Sequence, residues 1–411
     1  MSTTERVVIA LEEYRPRLLA PEELPLAAGE LLWRQYSNQI KVEFPSPATG
    51  GQWRLTAQGW VGHIPLGPAL SIALQPKVPV RSLFAMLEYA YGQKTFQLLG
   101  GLYEALSLEE LYERLAAVLA RAVLRRCRDG LVRAYVNQTE ELSVVRGSLN
   151  VRRMAARPWD VRLECTYQEH TADIDDNQIL AWTLFVISRS GLCRPEHALP
   201  AVRHAFRQLQ GVTTLRPVAA ADCVGRRYHR LNADYAPLHA LCRFFLEASG
   251  PHHEAGDRAM VPFLVDTAQL YEQCVANWLS AHLPGDLRLV KQEPYIIDRR
   301  SGLAFAIDLV LRARASGRAL AVLDTKYKRV DTPSTDDVAQ VVTYAEATGC
   351  HEAFLIYPTA PHRPLDAMLG NIRVRSVVFA VDQQLDQAGA QLLRSILPAE
   401  QTSRELLGRS L

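Results

Sequence analysis

The chain has 411 residues, more than one hydrophobic core usually organises, so its length predicts two or three domains. With 48% hydrophobic and 22% charged residues, the composition is that of a folded protein and excludes wholesale disorder. A formal net charge of +2 neither requires nor excludes a nucleic-acid partner, because a basic groove can be offset by acidic surface elsewhere.

Export, a membrane span and a metal knuckle are all disfavoured by the sequence. The first residues do not have the basic and then apolar profile of a signal peptide, and no run of about 18 apolar residues occurs. The seven cysteines are scattered and never form a CxxC pair, which argues against a disulfide framework and a zinc knuckle. We therefore expect a cytoplasmic protein without a membrane partner.

Residues 1–95 are predicted to form a β-rich N-terminal module. Short apolar or alternating stretches are separated by glycine and proline turns, which is typical of strands in a small β-domain. A helix is predicted over 82–91, where apolar residues recur at three and four positions. The predicted strands are 7–10, 40–44, 53–55 and 70–74.

Residues 96–255 are predicted to form a mixed α+β middle domain. The polar run 249–257, which contains glycine and proline, is interpreted as the main linker after it. Helical periodicity is found at 106–127, 177–190, 200–209 and 236–247. Strand-like stretches occur at 131–137, 142–151 and 161–167.

Residues 256–411 are predicted to form an α/β domain. A helix over 261–283 is stopped by Pro284 and Gly285. The order of elements after it is strand, turn, strand, helix and strand, and the whole chain is therefore predicted to be an α/β mixed multidomain protein. These elements are the strands 303–311 and 318–327, the helix 335–348 and the strand 352–357.

Two acidic residues and a lysine in this last domain form a pattern that carries chemistry. Asp324 and Lys326 are two positions apart in a predicted strand, so their side chains project to the same face. Asp308 follows three apolar residues in the preceding strand. A hairpin with a short turn would bring it close to Asp324. Paired carboxylates backed by apolar residues are costly unless a cation joins them. Mg²⁺ prefers such oxygen ligands and retains waters, one of which can attack a phosphodiester.

Further residues are candidates for the same site. Lys326 can position or deprotonate the attacking water, or stabilise charge on the phosphate. Gln340 and Tyr344 are four positions apart on a predicted helix and share a face, and Glu272 on the helix ahead of the strands is a candidate third carboxylate. The predicted catalytic residues are Asp308, Asp324, Lys326, Gln340 and Tyr344, and the predicted metal ligands are Asp308, Asp324 and Glu272.

An ordinary structural interpretation stands beside each candidate. An Asp-x-Lys triplet in a strand is usually an exposed ion pair, and a helical glutamate is usually solvated. The neighbouring acidic strand and the helix that follows favour a site. His252 and His253 lie in the polar linker without partner ligands at a suitable spacing, which favours a solvated loop. The basic run 226–230 contains an aromatic residue and fits either a phosphate contact or an exposed charged surface.

With these residues in place, the sequence resembles a known family. The stretches IDLVL at 307–311 and LDTKYK at 323–328, followed by Gln340 and Tyr344, are similar to the nuclease domain of McrC, the cleaving subunit of the McrBC systems that restrict modified-cytosine DNA. Upstream blocks resemble the same family in the same order, so the resemblance spans nearly the whole chain. These blocks are 62–64, 74–78, 83–91, 146–147, Tyr167, Asp173, Asn177, Asn232, Tyr235, Pro237 and Leu238.

The resemblance implies a fold, an activity and a partner. The C-terminal domain is expected to have the PD-(D/E)xK fold and to act as a Mg²⁺-dependent DNA endonuclease, although Ile307 stands where that superfamily often has proline. The implied partner is an AAA+ GTPase of the McrB type, a hexameric ring that recognises methylated double-stranded DNA. Residues 1–95 are expected to dock on that ring at a distance from Asp324. The chain itself has no GxxxxGK[S/T] phosphate-binding loop.

Two other interpretations stay open at this point. The chain can be a non-catalytic adaptor whose fold docks on an AAA+ motor and activates it, or a free-standing DNA repair nuclease of related fold. The intact Asp308, Asp324 and Lys326 favour the nuclease subunit over the adaptor. The modified base and its sequence context cannot be identified from this chain, because in the family that it resembles the partner recognises them.

Overall fold

The fold is that of a computed structural model. Three predicted features lie outside the residues that the structure describes. They are the boundary at 95/96, His252 and residue 256. None of the helices within the described residues is long and apolar enough to cross a membrane. The described residues are 7–397 without 68, 92–106, 251, 252, 256, 257, 299 and 301.

The chain divides into two compact units. The first unit combines both ends of the chain, Met1–Leu108 and Leu264–Leu411, and the second unit is Glu109–Phe263. The division therefore places the predicted first and third segments together. The three-part division at 95/96 and 255/256 stays a prediction.

The N-terminal part of the first unit contains the predicted strands and a helix among them. Strands β2, β4 and β3 form an antiparallel sheet in that order, and β1 pairs in parallel with β6. Trp53, Tyr36 and Leu55 are buried in the core beneath these sheets. The elements are β1 (Val7–Glu12), β2 (Pro16–Leu19), α1 (Leu26–Gln35), β3 (Ile40–Glu43), β4 (Trp53–Ala57), β5 (Trp60–Pro65), β6 (Leu70–Gln75) and α2 (Val80–Ala90).

The second unit consists mainly of helices, with a three-stranded antiparallel sheet in the order β7-β9-β8. The predicted strand 142–151 is largely wrong. Within that range only Leu142, at the end of the preceding strand, and Ser148–Leu149 are in strands. The range ends in a helix, because Asn150 accepts a hydrogen bond from the backbone of Arg153 and caps it. The elements are α3 (Leu108–Asp129), β7 (Ala134–Leu142), β8 (Ser148–Leu149), α4 (Val151–Ala156), β9 (Leu163–Thr171), α5 (Asp175–Arg189), α6 (Leu199–Gln210), α7 (Tyr235–Glu247), β10 (His253–Ala255) and β11 (Arg258–Met260).

The predicted helix 261–283 starts too early. Phe263–Asp266 is a strand, β12, and the helix α8 runs over Thr267–His282. Strand β12 hydrogen-bonds to β5, which gives the sheet order β1-β6-β5-β12. The Asp266 side chain accepts hydrogen bonds from the backbone of Ala268 and Gln269 and so caps the start of α8.

The C-terminal part of the first unit is built on a six-stranded mixed sheet in the order β13-β14-β15-β16-β18-β17. Strands β14 and β15 form the predicted hairpin, and β15 and β16 are parallel. The predicted helix 335–348 and strand 352–357 are confirmed. The elements are β13 (Leu287–Asp298), β14 (Leu303–Ala313), β15 (Ala319–Thr325), α9 (Thr335–Thr348), β16 (Glu352–Tyr357), β17 (Asp366–Leu369), β18 (Ile372–Val378) and α10 (Leu385–Ile396).

The two parts of the first unit contact each other directly. Asn277 on α8 donates hydrogen bonds to the carbonyls of Tyr89 and Ala90 at 3.0 and 2.7 Å. Lys77 Nζ donates to the carbonyl oxygen of Tyr327 at 3.0 Å. The expectation that the N-terminal module lies far from Asp324 is therefore wrong. The reason is that β12, which leads into α8, is a strand of the N-terminal sheet.

A close approach between α10 and α8 gives a test of this packing. A Cβ atom at Gly389 would overlap the ring of Trp278, whereas a Cβ at Gly285 would meet no atom within 4 Å. We expect Gly389→Ala to destabilise the first unit by about 1–3 kcal/mol, because the buried ring has no room to move. Alanine is otherwise about 1 kcal/mol better than glycine in a helix, so the sign of the effect is diagnostic.

The measurement is denaturant unfolding of both variants of the full chain. Gly285→Ala serves as the matched control and should unfold like the wild type. Equal stability of the Gly389→Ala chain would show that α10 does not pack on α8 in this way.

Candidate active site

Asp308 and Asp324 lie side by side on neighbouring strands. In the antiparallel ladder of β14 and β15, Leu309 pairs with Leu323, and the next pair in the same register is Asp308 with Asp324. Asp324 is fully buried and Asp308 is half-buried. The hairpin predicted from the sequence brings these two carboxyl groups together.

The surroundings of Asp324 disfavour its negative charge. Burial is the largest influence and raises the pKa of Asp324 to about 7, although the charge of Lys326 opposes the shift. Asp308 adds to the rise, both by charge repulsion and by a hydrogen bond to Asp324. A cation that bound beside these carboxylates would relieve the repulsion.

Lys326 supplies the positive charge at this site. Its Nζ donates to Asp324 Oδ1 at 3.1 Å and to Gln340 Oε1 at 2.9 Å. Burial alone would lower the pKa of Lys326, but the charge of Asp324 and the hydrogen bond to it raise the pKa overall. Lys326 is therefore held as an ammonium ion.

Helix α9 positions the partners of Lys326. Ser334 caps the helix by accepting a hydrogen bond from the backbone of Asp337, which fixes the first turn. One turn further on, Gln340 Nε2 donates to the hydroxyl of Tyr344 at 2.7 Å, so the predicted i,i+4 pair is in contact. The ring of Tyr344 stacks on Phe305 of β14, with centroids 5.1 Å apart.

Asp337 belongs to the same charge network and was not expected from the sequence. Its Oδ2 forms an ion pair with Lys328 Nζ at 2.6 Å, and its Oδ1 lies 4.0 Å from Lys326 Nζ. Burial would raise the pKa of Asp337, but hydrogen bonds from Lys328 and Ser334 lower it. An acidic residue in the first turn of a helix is so common that its position gives no signal of a site.

Gln292 is a second residue that the sequence does not reveal. In the ladder of β13 and β14 it lies between the pairs Lys291–Leu309 and Glu293–Ile307, which places it opposite Asp308. Its backbone φ is 47°, a left-handed conformation that is strained for a residue other than glycine. A glutamine in a polar, exposed strand has no distinctive sequence pattern.

Glu272 on α8 faces the same group of residues. Gln292 Nε2 donates to Glu272 Oε1 at 2.5 Å. Burial raises the pKa of Glu272, and the charge of Asp308 raises it further. Glu272 is therefore within electrostatic reach of Asp308, and its role as a third metal ligand stays a prediction.

These carboxylates fit a hard cation. Asp324 Oδ2 is buried and accepts no hydrogen bond, although Lys326 Nζ lies 2.8 Å away, so the ion pair lacks hydrogen-bond geometry. A buried carboxylate oxygen in this state is a group that a cation would satisfy. Over the described part of the chain, no three His, Cys, Asp or Glu side chains are grouped closely enough to hold a metal ion. Mg²⁺ commonly uses one or two carboxylates and retains waters, so Asp308 and Asp324 form a suitable donor pair.

His253, expected in a solvated loop, is instead the first residue of strand β10. The basic run 226–230, another candidate from the sequence, has structural partners. Arg226, at the start of the basic run 226–230, forms an ion pair with Asp176 at 2.5 Å within the second unit. Tyr228 in the same run is hydrogen-bonded to His239 at 2.9 Å. These contacts favour the structural interpretation of the run over a phosphate contact.

Fold and site together define a mixed α/β protein with two paired acidic residues and a lysine at the carboxyl end of a buried strand. A family model described as "McrBC 5-methylcytosine restriction system component" matches residues 55–358. Since the match covers most of the chain, the chain belongs to this family. The resemblance predicted from the sequence is confirmed.

Solved structures support the fold. A chain of the refined half-complex from the tetradecameric assembly of Thermococcus gammatolerans McrB AAA+ hexamers with bound McrC matches with a TM-score of 0.57 and 17% identity, over 95% of this chain and 100% of that chain. A chain of the cryo-EM structure of the Thermococcus gammatolerans McrBC complex has a TM-score of 0.43 and 17% identity, over 68% and 88% of the two chains. Only the first of these matches is close enough to indicate a shared fold. No curated protein matches this chain.

The strained state of Asp324 leads to a prediction about stability and pH. Because the folded-state pKa of about 7 lies above the unfolded value of about 3.9, the folded chain loses stability as pH rises between these values. We expect Asp324→Asn to stabilise the metal-free chain above pH 7 by about 4 kcal/mol relative to its effect at pH 4.

Thermal unfolding in the presence of a chelator, from pH 4 to pH 8, measures this difference. Asp331→Asn is the control, since the side chain of Asp331 is 90% exposed. If the effect of Asp324→Asn were the same at all pH values, the buried carboxyl group would not be under the strain described.

Proposed function

We propose that this chain is the endonuclease subunit of a GTP-dependent restriction complex that cleaves double-stranded DNA containing modified cytosine by Mg²⁺-assisted hydrolysis. The observation that carries the proposal is the cluster of Asp308, Asp324, Lys326 and Gln340 around the carboxyl end of β15. A fully buried aspartate beside a second, half-buried one is costly to the fold even with an ammonium nearby, which favours a catalytic role over a structural one.

Mg²⁺ would be held by Asp308 and Asp324, with Glu272 as a further carboxylate. When bound, the metal supplies a Lewis acid and a water of lowered pKa. Asp324 Oδ2 is buried without a hydrogen bond, which leaves it able to accept a cation. This set corresponds to the acidic residues of a PD-(D/E)xK nuclease domain.

Lys326 acts on the phosphate in this proposal. Two of the three N–H donors of its ammonium are engaged by Asp324 and Gln340, which leaves one for an oxygen of the substrate. Because the ammonium is held by two acceptors and keeps a donor, the side chain is suited to stabilising negative charge on the scissile phosphate. Tyr344 holds Gln340 by a hydrogen bond and thereby keeps Lys326 in place.

The proposed partner is an AAA+ GTPase ring of the McrB type. Membership of the McrBC family supports it, and so does the fold shared with a chain from an assembly of McrB AAA+ hexamers with bound McrC. The absence of a phosphate-binding loop in this sequence fits a division of labour in which the partner hydrolyses GTP. A non-catalytic adaptor would not need the acid–lysine cluster, and a free-standing repair nuclease would not need the ring.

The first functional prediction concerns cleavage. Asp324→Ala and Lys326→Ala should each lower DNA cleavage by the assembled complex by about a hundredfold or more, because a charge that acts in the transition state is removed. Asp308→Asn should raise the Mg²⁺ concentration needed for cleavage. The measurement is the rate of cleavage of modified DNA against Mg²⁺ concentration.

Partner GTP hydrolysis is the internal control and should be stimulated normally by all three variants. Asp331→Asn, a change at an exposed carboxylate in the same region, should leave cleavage unaltered. Full cutting by the Asp324→Ala and Lys326→Ala chains would disprove the site. A wild-type chain that stimulates GTP hydrolysis but never cuts would support the adaptor instead.

The second functional prediction places the docking surface on residues 1–95. That segment exposes large apolar side chains, among them Leu18 at 49% and Leu26 at 62%. We expect Leu18→Glu and Leu26→Glu to weaken stimulation of partner GTP hydrolysis, because a charge would be buried at the contact. The full chain must be used, since the two ends share a sheet and fragments 1–95 and 256–411 are not independent pieces.

The matched control is Met368→Glu on β17, where the side chain is 61% exposed in the C-terminal part of the same unit. This variant should stimulate the partner as the wild type does. Loss of stimulation with Met368→Glu alone would show that docking occurs at the other end of the chain.

A further inference from the structure

A lysine of the N-terminal part reaches the residue that follows Lys326. Lys77 Nζ donates to the carbonyl oxygen of Tyr327 at 3.0 Å. The same ammonium lies over the ring of Tyr327 at 4.3 Å and over the ring of Tyr14 at 4.9 Å from the centroids. A cation placed over two aromatic faces with a carbonyl acceptor is held by three separate interactions.

The carbonyl of Tyr327 lies where the chain leaves the sheet. Strand β15 ends at Thr325, and the backbone of Lys326 still donates to Ile356 of β16 at 2.8 Å. The backbone N–H of Lys328 then donates a hydrogen bond to the carbonyl oxygen of Lys326, at a distance of 2.8 Å. The Tyr327 carbonyl is beyond the β-ladder, and Lys77 provides its donor.

The side chain of Tyr327 also contacts helix α8. It is buried, and its ring packs against Tyr271 of α8 with centroids 5.5 Å apart. Residue 327 is thus held by Lys77 through its carbonyl and its ring, and by α8 through its ring. Because residue 327 directly follows Lys326 and the chain has only two soft dihedrals per residue, these contacts restrict the backbone conformation from which the Lys326 side chain projects.

A buried glutamate joins Lys77 to the helix that carries Glu272. Glu13 is 4% exposed, and its Oε2 accepts a hydrogen bond from the backbone of Lys77 at 3.0 Å. Its Oε1 accepts from the hydroxyl of Thr267 at 2.8 Å, and Thr267 is the first residue of α8. One carboxylate therefore links the Lys77 peptide and the start of α8.

We propose that Lys77, held in place by Glu13, is a positioning residue for Lys326. It fixes Tyr327, the residue that follows Lys326, so that the Lys326 ammonium stays between Asp324 and Gln340. The consequence for DNA cleavage rests on the proposed function, whereas the placement of Lys326 does not. The competing explanation is an ordinary packing contact, which would affect the fold as a whole and not Lys326 in particular.

The first experiment measures the placement of Lys326 without any cleavage assay. The metal-free full chain is treated with acetic anhydride, and the acetylation rate of each lysine is measured by mass spectrometry. We expect Lys77→Met to increase the rate at Lys326 several-fold and Lys77→Arg to leave it near the wild-type rate, since arginine keeps a donor and the ring contacts. Lys41→Met, at a lysine 62% exposed in the same part of the chain, is the matched control.

The second experiment measures single-turnover cleavage of modified DNA by the assembled complex at saturating Mg²⁺. A small displacement of a catalytic group costs up to about a hundredfold in rate, so we expect Lys77→Met to be roughly ten to a hundred times slower than the wild type. The DNA concentration for half-maximal rate and the stimulation of partner GTP hydrolysis should not change. Lys77→Arg should restore most of the rate.

Two outcomes would overturn the proposal. One is a Lys77→Met chain that matches Lys41→Met in both Lys326 acetylation and cleavage. The other is a general rise in lysine acetylation across the first unit with a lower unfolding temperature and no rescue by Lys77→Arg, since Lys77 would then only hold the fold. If the wild-type complex does not cut DNA at all, the proposed function fails, while the acetylation result still decides the role of Lys77.

Discussion

The burial of the Asp324 carboxyl group is the constraint on which the candidate site depends. This group lies in the middle of an apolar sheet next to a second acid, so its charge is disfavoured by its surroundings. Lys326 offsets part of this cost, and Lys326 is in turn held by Gln340, Tyr344 and the stacking of Tyr344 on β14. These contacts all serve to hold the ammonium that offsets the buried charge of Asp324. A fold that needed stability alone would gain more from an apolar side chain at position 324.

The local parts of this arrangement follow from the sequence. The hairpin of β14 and β15 is recognisable because side chains alternate between the two faces of a strand and a turn with glycine joins the two strands. The same alternation places Asp324 and Lys326 on one face. Helix α9 is recognisable at both ends, since Ser334 provides a cap and Gly349 adopts the left-handed conformation with φ 69° that ends a helix. These signals act over a few residues, which is why both elements were predicted with nearly correct bounds.

The remaining parts depend on contacts between distant residues. The segment 263–266 is apolar enough to continue a helical pattern, and it becomes a strand only because the edge of β5 accepts it. Gln292 is displayed opposite Asp308 by a strained backbone in β13, which no local pattern specifies. The contact between Lys77 and Tyr327 joins positions 250 residues apart. A single sequence shows the spacing of apolar residues and the residues that favour turns, but it does not show which distant residues come into contact.

The order of the segments along the chain has a consequence for how the site is completed. Asp308, Asp324 and Gln340 all lie in the last segment, so the acidic pair and its helix can assemble from contacts close in sequence. The start of α8 and the residue after Lys326 contact Glu13 and Lys77, which precede the whole second unit in the chain. Contacts between residues so far apart in sequence require the chain to bring both ends together. The acidic pair therefore depends on contacts close in sequence, whereas the contacts around Tyr327 depend on residues from both ends of the chain.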